Sequence, residues 1–405
     1  MSARTLPGSV VILGLVSLFM DASSEMIHAL LPAFLVTTLG VSALTVGIIE
    51  GIAEATASFA KIFSGAISDW VGRRKPLVLA GYGLAAATKP FFALATSAGT
   101  VLAARFVDRI GKGLRGAPRD ALIADLVPPQ ARGTAYGLRQ SMDTVGAIAG
   151  PGLALVIMAA SGDDIRLVFW LSVVPAIIAV ALIGFVHEPP PATPVKGRRF
   201  PIRRGELRRL GGFYWAVVAF ATALTLARFS EAFLLLRAQD IGLAVSYVPI
   251  VMVVMNIVYA ASAYPIGRLS DRIGRGGLLV LGIGVLVIAH LVLAASTTVA
   301  AALAGAALWG LHMGATQGLL SAVVADAAPA DLRGTAFGAF NLLTGVGLLL
   351  ASTIAGGLWS AVGPAATFLA GAAFAAIALV GLVFARARRG REGGASTPEQ
   401  PHTGP

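Results

Sequence analysis

The chain contains no cysteine. Disulfides, thiolate-bound metals and cysteine nucleophiles are thereby excluded. Charge is scarce as well. Asp, Glu, Lys and Arg make up 13% of the 405 residues, whereas a soluble domain carries about 25%. The alternating polar and apolar pattern of a barrel strand is missing, and so is a phosphate loop of the G-x-x-x-x-G-K-[ST] type. The first apolar run is interrupted by Asp21, continues to about residue 38 and has no A-x-A-like cleavage site at its end. It therefore reads as a retained first helix rather than a signal peptide.

Apolar residues are abundant: 57% of the chain, with a mean hydropathy of +0.82. They come as repeated blocks of about 20 residues, the length that crosses the hydrocarbon core of a bilayer. Twelve spans are expected, at roughly 9–36, 44–68, 76–96, 99–127, 134–160, 165–187, 211–237, 244–268, 277–296, 299–327, 335–360 and 363–386. In lipid the backbone must satisfy its own hydrogen bonds, so each span is expected to be a helix. The fold class is thus an all-α polytopic membrane protein of two six-helix bundles, residues 1–187 and 211–386. A Pro-rich basic linker at 188–210 joins them, and a disordered tail covers 387–405.

The net charge of +11 does not point to nucleic acid. Its excess sits in short segments beside apolar blocks, notably 196–209 and 386–391. Lys and Arg collect in the loops after even-numbered spans, which places those loops and both termini in the cytoplasm of an inner-membrane protein.

The halves repeat each other. "GAISDWVGRR" at 65–74 matches "GRLSDRIGRG" at 267–276, and "DLVPPQARGTAYG" at 125–137 matches "DAAPADLRGTAFG" at 326–338, offsets of 202 and 201. On these residues the chain resembles the major facilitator superfamily over its length to about residue 386. The first stretch is similar to that family's motif A, G-x-x-x-D-x-x-G-R-[RK]. "RIGKGLRGA" (109–117) resembles motif B, with Lys112 where Gln is usual. "GAIAGPG" (146–152), with Gly146, Gly150 and Pro151, resembles motif C, which the family associates with antiporters. The resemblance implies alternating access between two halves about a central site. It also implies a gating latch at Gly65, Asp69, Gly72 and Arg73. Arg73 is expected to reach Asp125, with Arg132 nearby; the second copy offers Asp271, Arg275, Asp326 and Arg333. The motif-B role in proton transfer would fall to Arg109.

Ionisable residues within spans are expensive and mark function. The first half holds most of them. Asp21, Glu25 and His28 follow i, i+4, i+7 spacing on one helix face, and Arg105, Asp108, Lys112, Arg115 and Arg119 form a stripe down span 4. Glu54, Lys89, Arg139 and Asp143 add to them; the second half offers chiefly Arg228 and Glu231. A poorly hydrated cavity and a neighbouring carboxylate both favour the protonated form of a carboxyl group, so one of Asp21 and Glu25 is expected to titrate near physiological pH and to exchange its proton for substrate. The competing structural reading is a permanent ion-pair network holding helices together.

The expected function is a secondary active transporter, most concretely proton-coupled export of a drug, metabolite or organic anion by a monomer in the lipid bilayer. One alternative is a metal-ion or metal-chelate transporter using Asp21, Glu25 and His28. Another, of a different class, is a transport-inactive receptor or scaffold. Neither an enzyme nor a bound cofactor is expected.

Overall fold

The computed structural model describes residues 6–71, 73–189, 204–273, 275–329 and 332–394. These are almost wholly helical. The helices are α1 (Gly8–Thr38), α2 (Ala43–Val71), α3 (Lys75–Leu94), α4 (Ala98–Leu126), α5 (Arg132–Ser161) and α6 (Ile165–Gly184). After a short helix, Arg204–Arg209, come α7a (Gly212–Leu226), α7b (Ala232–Asp240), α8 (Ile250–Ile273), α9 (Arg275–Ala295), α10 (Val299–Ala327), α11 (Arg333–Ala361) and α12 (Pro364–Gly394).

Ten helices among the described residues are long and apolar enough to cross a membrane. Two expected spans do not meet that measure, for different reasons. Helix α4 is 29 residues long but carries the charged stripe, which lowers its hydropathy. The seventh span is broken: α7a ends at Leu226 and α7b begins at Ala232. The first helix is interrupted at the equivalent place, ending its regular part at His28 and resuming at Leu31. Pro32 explains that break, because proline lacks the N–H that the preceding turn needs. No proline sits in the second break. There the freed backbone is satisfied from outside: the Ala227 carbonyl accepts a hydrogen bond from His290 Nε2 at 2.8 Å, and the Ser230 N–H donates to Ser352 Oγ at 3.1 Å.

The repeat extends to the caps. Ser97 Oγ accepts from the Thr100 N–H at the start of α4, and Thr298 Oγ1 accepts from the Ala301 N–H at the start of α10, both at 3.3 Å. Each satisfies one of the orphan donors of a helix N-terminus. The four repeated sequence segments lie at the α2–α3, α4–α5, α8–α9 and α10–α11 connections, on one side of the molecule, here termed the loop side. Helix α12 runs on through 387–394, beyond the boundary expected for the tail. Residues 190–203 of the expected linker and 395–405 of the tail lie outside the described residues.

The halves meet along α2 with α11 and α5 with α8. Asn256 Nδ2 donates to the Ala147 carbonyl at 2.9 Å across the second seam, and the Leu44 N–H donates to Ser360 Oγ at 3.2 Å at the far end of the first. The apolar core is distributed unevenly along the membrane normal. Toward the far side a single buried cluster joins both halves, with Ile27, Leu31, Phe34 and Val46 from one and Phe229 and Phe233 from the other. At the loop side each half keeps its own cluster. One is built on Leu13, Leu122 and Val186, the other on Tyr214, Val324 and Ala336. The halves are therefore fused at the far side and part toward the loop side.

Candidate functional site

Between the halves lies a cavity of about 440 Å³, roofed by the breaks in α1 and α7. Eight of its eighteen lining residues are ionisable: Glu25, His28, Glu50, Glu54, Arg109, Lys112, Arg228 and Glu231. A second cavity of about 270 Å³ adjoins it nearer the loop side, and Lys112 lines both. Asp21, Lys61, Arg115, Arg119 and Asp143 belong to that second one.

The charges of the first half are mostly matched with one another. His28 stands between two glutamates, 3.3 Å from Glu25 through Nδ1 and 3.6 Å from Glu50 through Nε2. Arg105 donates to the same Glu50 oxygen at 2.8 Å, so α1, α2 and α4 are tied at one point. Arg109 pairs with Glu54 at 3.2 Å, and Lys89 with Asp108 at 3.0 Å while also donating to Ser24 Oγ. Glu50, Lys89, Arg105 and Asp108 are all at most 3% exposed. At such burial, desolvation consumes most of the Coulombic gain, but removing one partner strands a charge. These four are closed into two buried pairs in this conformation. Nearer the loop side, Arg139 donates to Asp143 at 2.5 Å. Arg119 donates to Ser17 Oγ at 2.8 Å and to Tyr82 Oη at 3.3 Å, and the Arg115 guanidinium lies 4.5 Å from the centre of the Tyr82 ring.

The expected face of α1 is thus divided. Glu25 is engaged with His28. Asp21, one turn closer to the loop side, makes no hydrogen bond and no ion pair with a described residue; its charged neighbours are Asp143, Arg115, Lys112 and Arg119. The His28 ring therefore engages one of the two acids and leaves the other without such a contact among the described residues. Among the described residues, no cluster of three or more His, Asp or Glu has the form of a metal site.

The helix-5 motif acts on this same face. Gly146 packs against the Leu18 carbonyl and Gly150 against the Ala22 carbonyl, next to the Cβ atoms of Asp21 and Glu25 respectively. Pro151 lies inside α5, which continues through it.

At the expected latch, Arg74 rather than Arg73 pairs with Asp125, through Nε at 3.1 Å. Arg73 is exposed. Arg74 is positioned because its Nη1 also donates to Ser68 Oγ at 2.8 Å and its backbone N–H to Glu188. Arg132 opens α5 and is exposed, and Asp326 lies exposed near the end of α10. Gly65 is within α2. Gly72 lies outside the described residues, as do the side chains of Asp69, Asp271, Arg275 and Arg333.

Sequence reasoning had no role for Tyr82, Ser24 or Glu188. A lone tyrosine in an apolar span was a usable signal for Tyr82, since a buried phenol seeks a partner. Nothing comparable marked the other two.

The family model described as Major Facilitator Superfamily matches residues 13–236 and 218–403. The MFS-type transporter MJ1317 of Methanocaldococcus jannaschii is 32% identical over 387 residues, covering 94% of this chain and 96% of the relative. Multidrug resistance protein MdtH of Edwardsiella ictaluri is 32% identical over 173 residues, 43% of this chain and 41% of that one. Among solved structures, a mutant of the nucleoside transporter NupG superposes with a TM-score of 0.79 at 14% identity, covering 93% of this chain and 99% of that one.

Proposed function

Because the chain belongs to the Major Facilitator Superfamily, we propose that this transporter exports a small molecule in exchange for protons, by alternating access. The observation that carries the reading is the placement of Asp21: a carboxylate without a partner, in the cavity that leads from the loop side to the central one. A group of that kind can take up and release a proton without dismantling the fold, which the paired Glu50 and Asp108 cannot. Arg109 and Lys112 would sense its charge from α4, and Arg139 with Asp143 from α5. The MdtH relatives, named for multidrug resistance, favour the outward direction.

In this reading the protein sits in the inner membrane with both termini and the loop side in the cytoplasm, so the cavity faces inward. The two bundles, 1–187 and 211–386, joined by the 188–210 linker, rock about the central cavity as a monomer. Asp69, Arg73 and their counterparts Asp271, Arg275, Asp326 and Arg333 hold the loop side when it closes, while Arg74 with Asp125 braces the α2–α3 connection against α4 within the first half.

Inverted membrane vesicles energised by respiration test this. A panel of drugs, organic acids and metal salts is added while a pH-sensitive dye reports the internal proton pool. A substrate should dissipate the gradient in wild type and not in Asp21→Asn, with Asp21→Glu retaining a response. Substrate accumulation by Asp21→Asn equal to wild type would assign Asp21 a structural role.

A further inference from the structure

Once the pairs Glu25–His28, Glu50–Arg105 and Glu54–Arg109 are set aside, three ionisable groups of the central cavity remain. They are Lys112 on α4 and Arg228 and Glu231 at the break in α7. None makes a hydrogen bond or an ion pair with a described residue. Arg228 and Glu231 influence each other electrostatically, and Glu231 also feels His28, Glu25 and Glu54 across the cavity. Lys112 lies within electrostatic reach of Glu25 and Glu54 without contacting either. The unmatched set is therefore two cations and one anion, drawn from both halves of the molecule.

Charges left without partners in a membrane interior are costly. They are offset when something complementary enters. The rest of the lining is half polar: Ser58, Thr225, Ser230, Gln317 and Thr344 supply hydrogen-bonding groups, beside four apolar residues and one glycine, so that thirteen of the eighteen lining residues are polar or ionisable. A pocket for lipophilic drugs would instead be predominantly apolar and aromatic.

Resting on the reading of this cavity as the transport site, we propose that the cargo is a small amphoteric organic acid: two acidic groups met by Lys112 and Arg228, and a protonated amine met by Glu231. Such a molecule balances all three unmatched charges. Its acidic groups also touch both halves at once. Two like charges on opposite bodies oppose closure of the cavity, and an anion between them removes that opposition. Binding would thereby favour the occluded form of the carrier.

The test is thermal unfolding of the purified protein in detergent with four probes: glutamate, succinate, glutamine and tetraphenylphosphonium. Glutamate should raise Tm most, succinate and glutamine less, and tetraphenylphosphonium not at all. Arg228→Gln and Lys112→Gln should each abolish the glutamate shift. Glu231→Gln should remove the advantage of glutamate over succinate while leaving succinate unchanged. Gel filtration and helical circular dichroism of each variant guard against misfolding. The class is overturned if tetraphenylphosphonium gives the largest shift, if no acid shifts Tm, or if the shifts survive all three substitutions. Proton movement in vesicles is read separately. Acid binding without proton exchange would sink the antiport reading and leave the cargo class standing. Proton-coupled movement of tetraphenylphosphonium would do the reverse.

Discussion

Gly146 lies against Asp21 so closely that a Cβ built on it falls 2.5 Å from the Leu18 carbonyl oxygen and 3.1 Å from the Asp21 Cβ. The glycine of the fifth helix and the unpartnered acid of the first are thus one structural unit. Gly146→Ala should force α1 and α5 apart, costing about 1–3 kcal/mol as overpacking does. Gly150→Ala should behave alike, since its Cβ would meet the Ala22 carbonyl oxygen at 2.5 Å. Gly152 has nothing within 4 Å of such a Cβ, so Gly152→Ala should hold or slightly raise Tm. Thermal unfolding of the three variants checks this; equal effects would remove the packing role from the motif.

Glu50 and Arg105 predict a non-additive pair. Either Glu50→Leu or Arg105→Met alone should destabilise by about 3–5 kcal/mol, because each strands a buried charge. The double variant Glu50→Leu with Arg105→Met should recover most of that loss. The readout is a double-mutant cycle on unfolding in detergent, and additive losses would refute the pairing.

Asp21 and Asp108 should separate stability from transport. Asp21→Asn removes no contact, so Tm should stay within about 0.5 kcal/mol equivalent of wild type while proton exchange is lost. Asp108→Asn leaves Lys89 unpaired in the interior and should lower Tm strongly, by about 3 kcal/mol or more. A large Tm loss in Asp21→Asn would mean an unrecognised structural partner.

Arg74 and Arg73 should differ although they are adjacent. Arg74→Gln breaks the contacts to Asp125 and Ser68, and should alter exchange rate several-fold. Arg73→Gln touches no such contact in this conformation, so its effect should be confined to the opposite one. Initial rates of counterflow in proteoliposomes distinguish them. A larger defect in Arg73→Gln would place the main latch in the closed form of the loop side.

Much of this was legible beforehand. Apolar blocks of bilayer length marked the helices, and two repeated motifs marked the duplication. The α4 stripe, read by helical spacing, did find one face, but spacing on one helix says nothing about partners on others. Arg105, Asp108 and Lys89 read as cavity residues, yet Arg105 is paired with Glu50 of α2, and Asp108 of α4 with Lys89 of α3. The same limit joined Asp21 to Glu25, where His28, three residues on, had already engaged the glutamate. Reach from the loop alone favours Arg73 no more than its neighbour Arg74. The choice between neighbours was made by Ser68 and Glu188, which are far apart in the chain. The break in α7 had no proline or glycine to announce it; only His290 and Ser352, distant in sequence, make it tolerable.

The uneven core has a thermodynamic consequence. Parting the far side would wet Phe34, Phe229 and Phe233 and their neighbours, a change with a large positive heat capacity. Closing the loop side instead brings exposed charged groups of the two halves, such as Arg73 and Arg132 of one and Asp326 of the other, toward each other near water, where added salt weakens their attraction. One end of the same rocking motion should then answer chiefly to temperature and the other to ionic strength, so that warming and salting displace the resting conformation by independent routes.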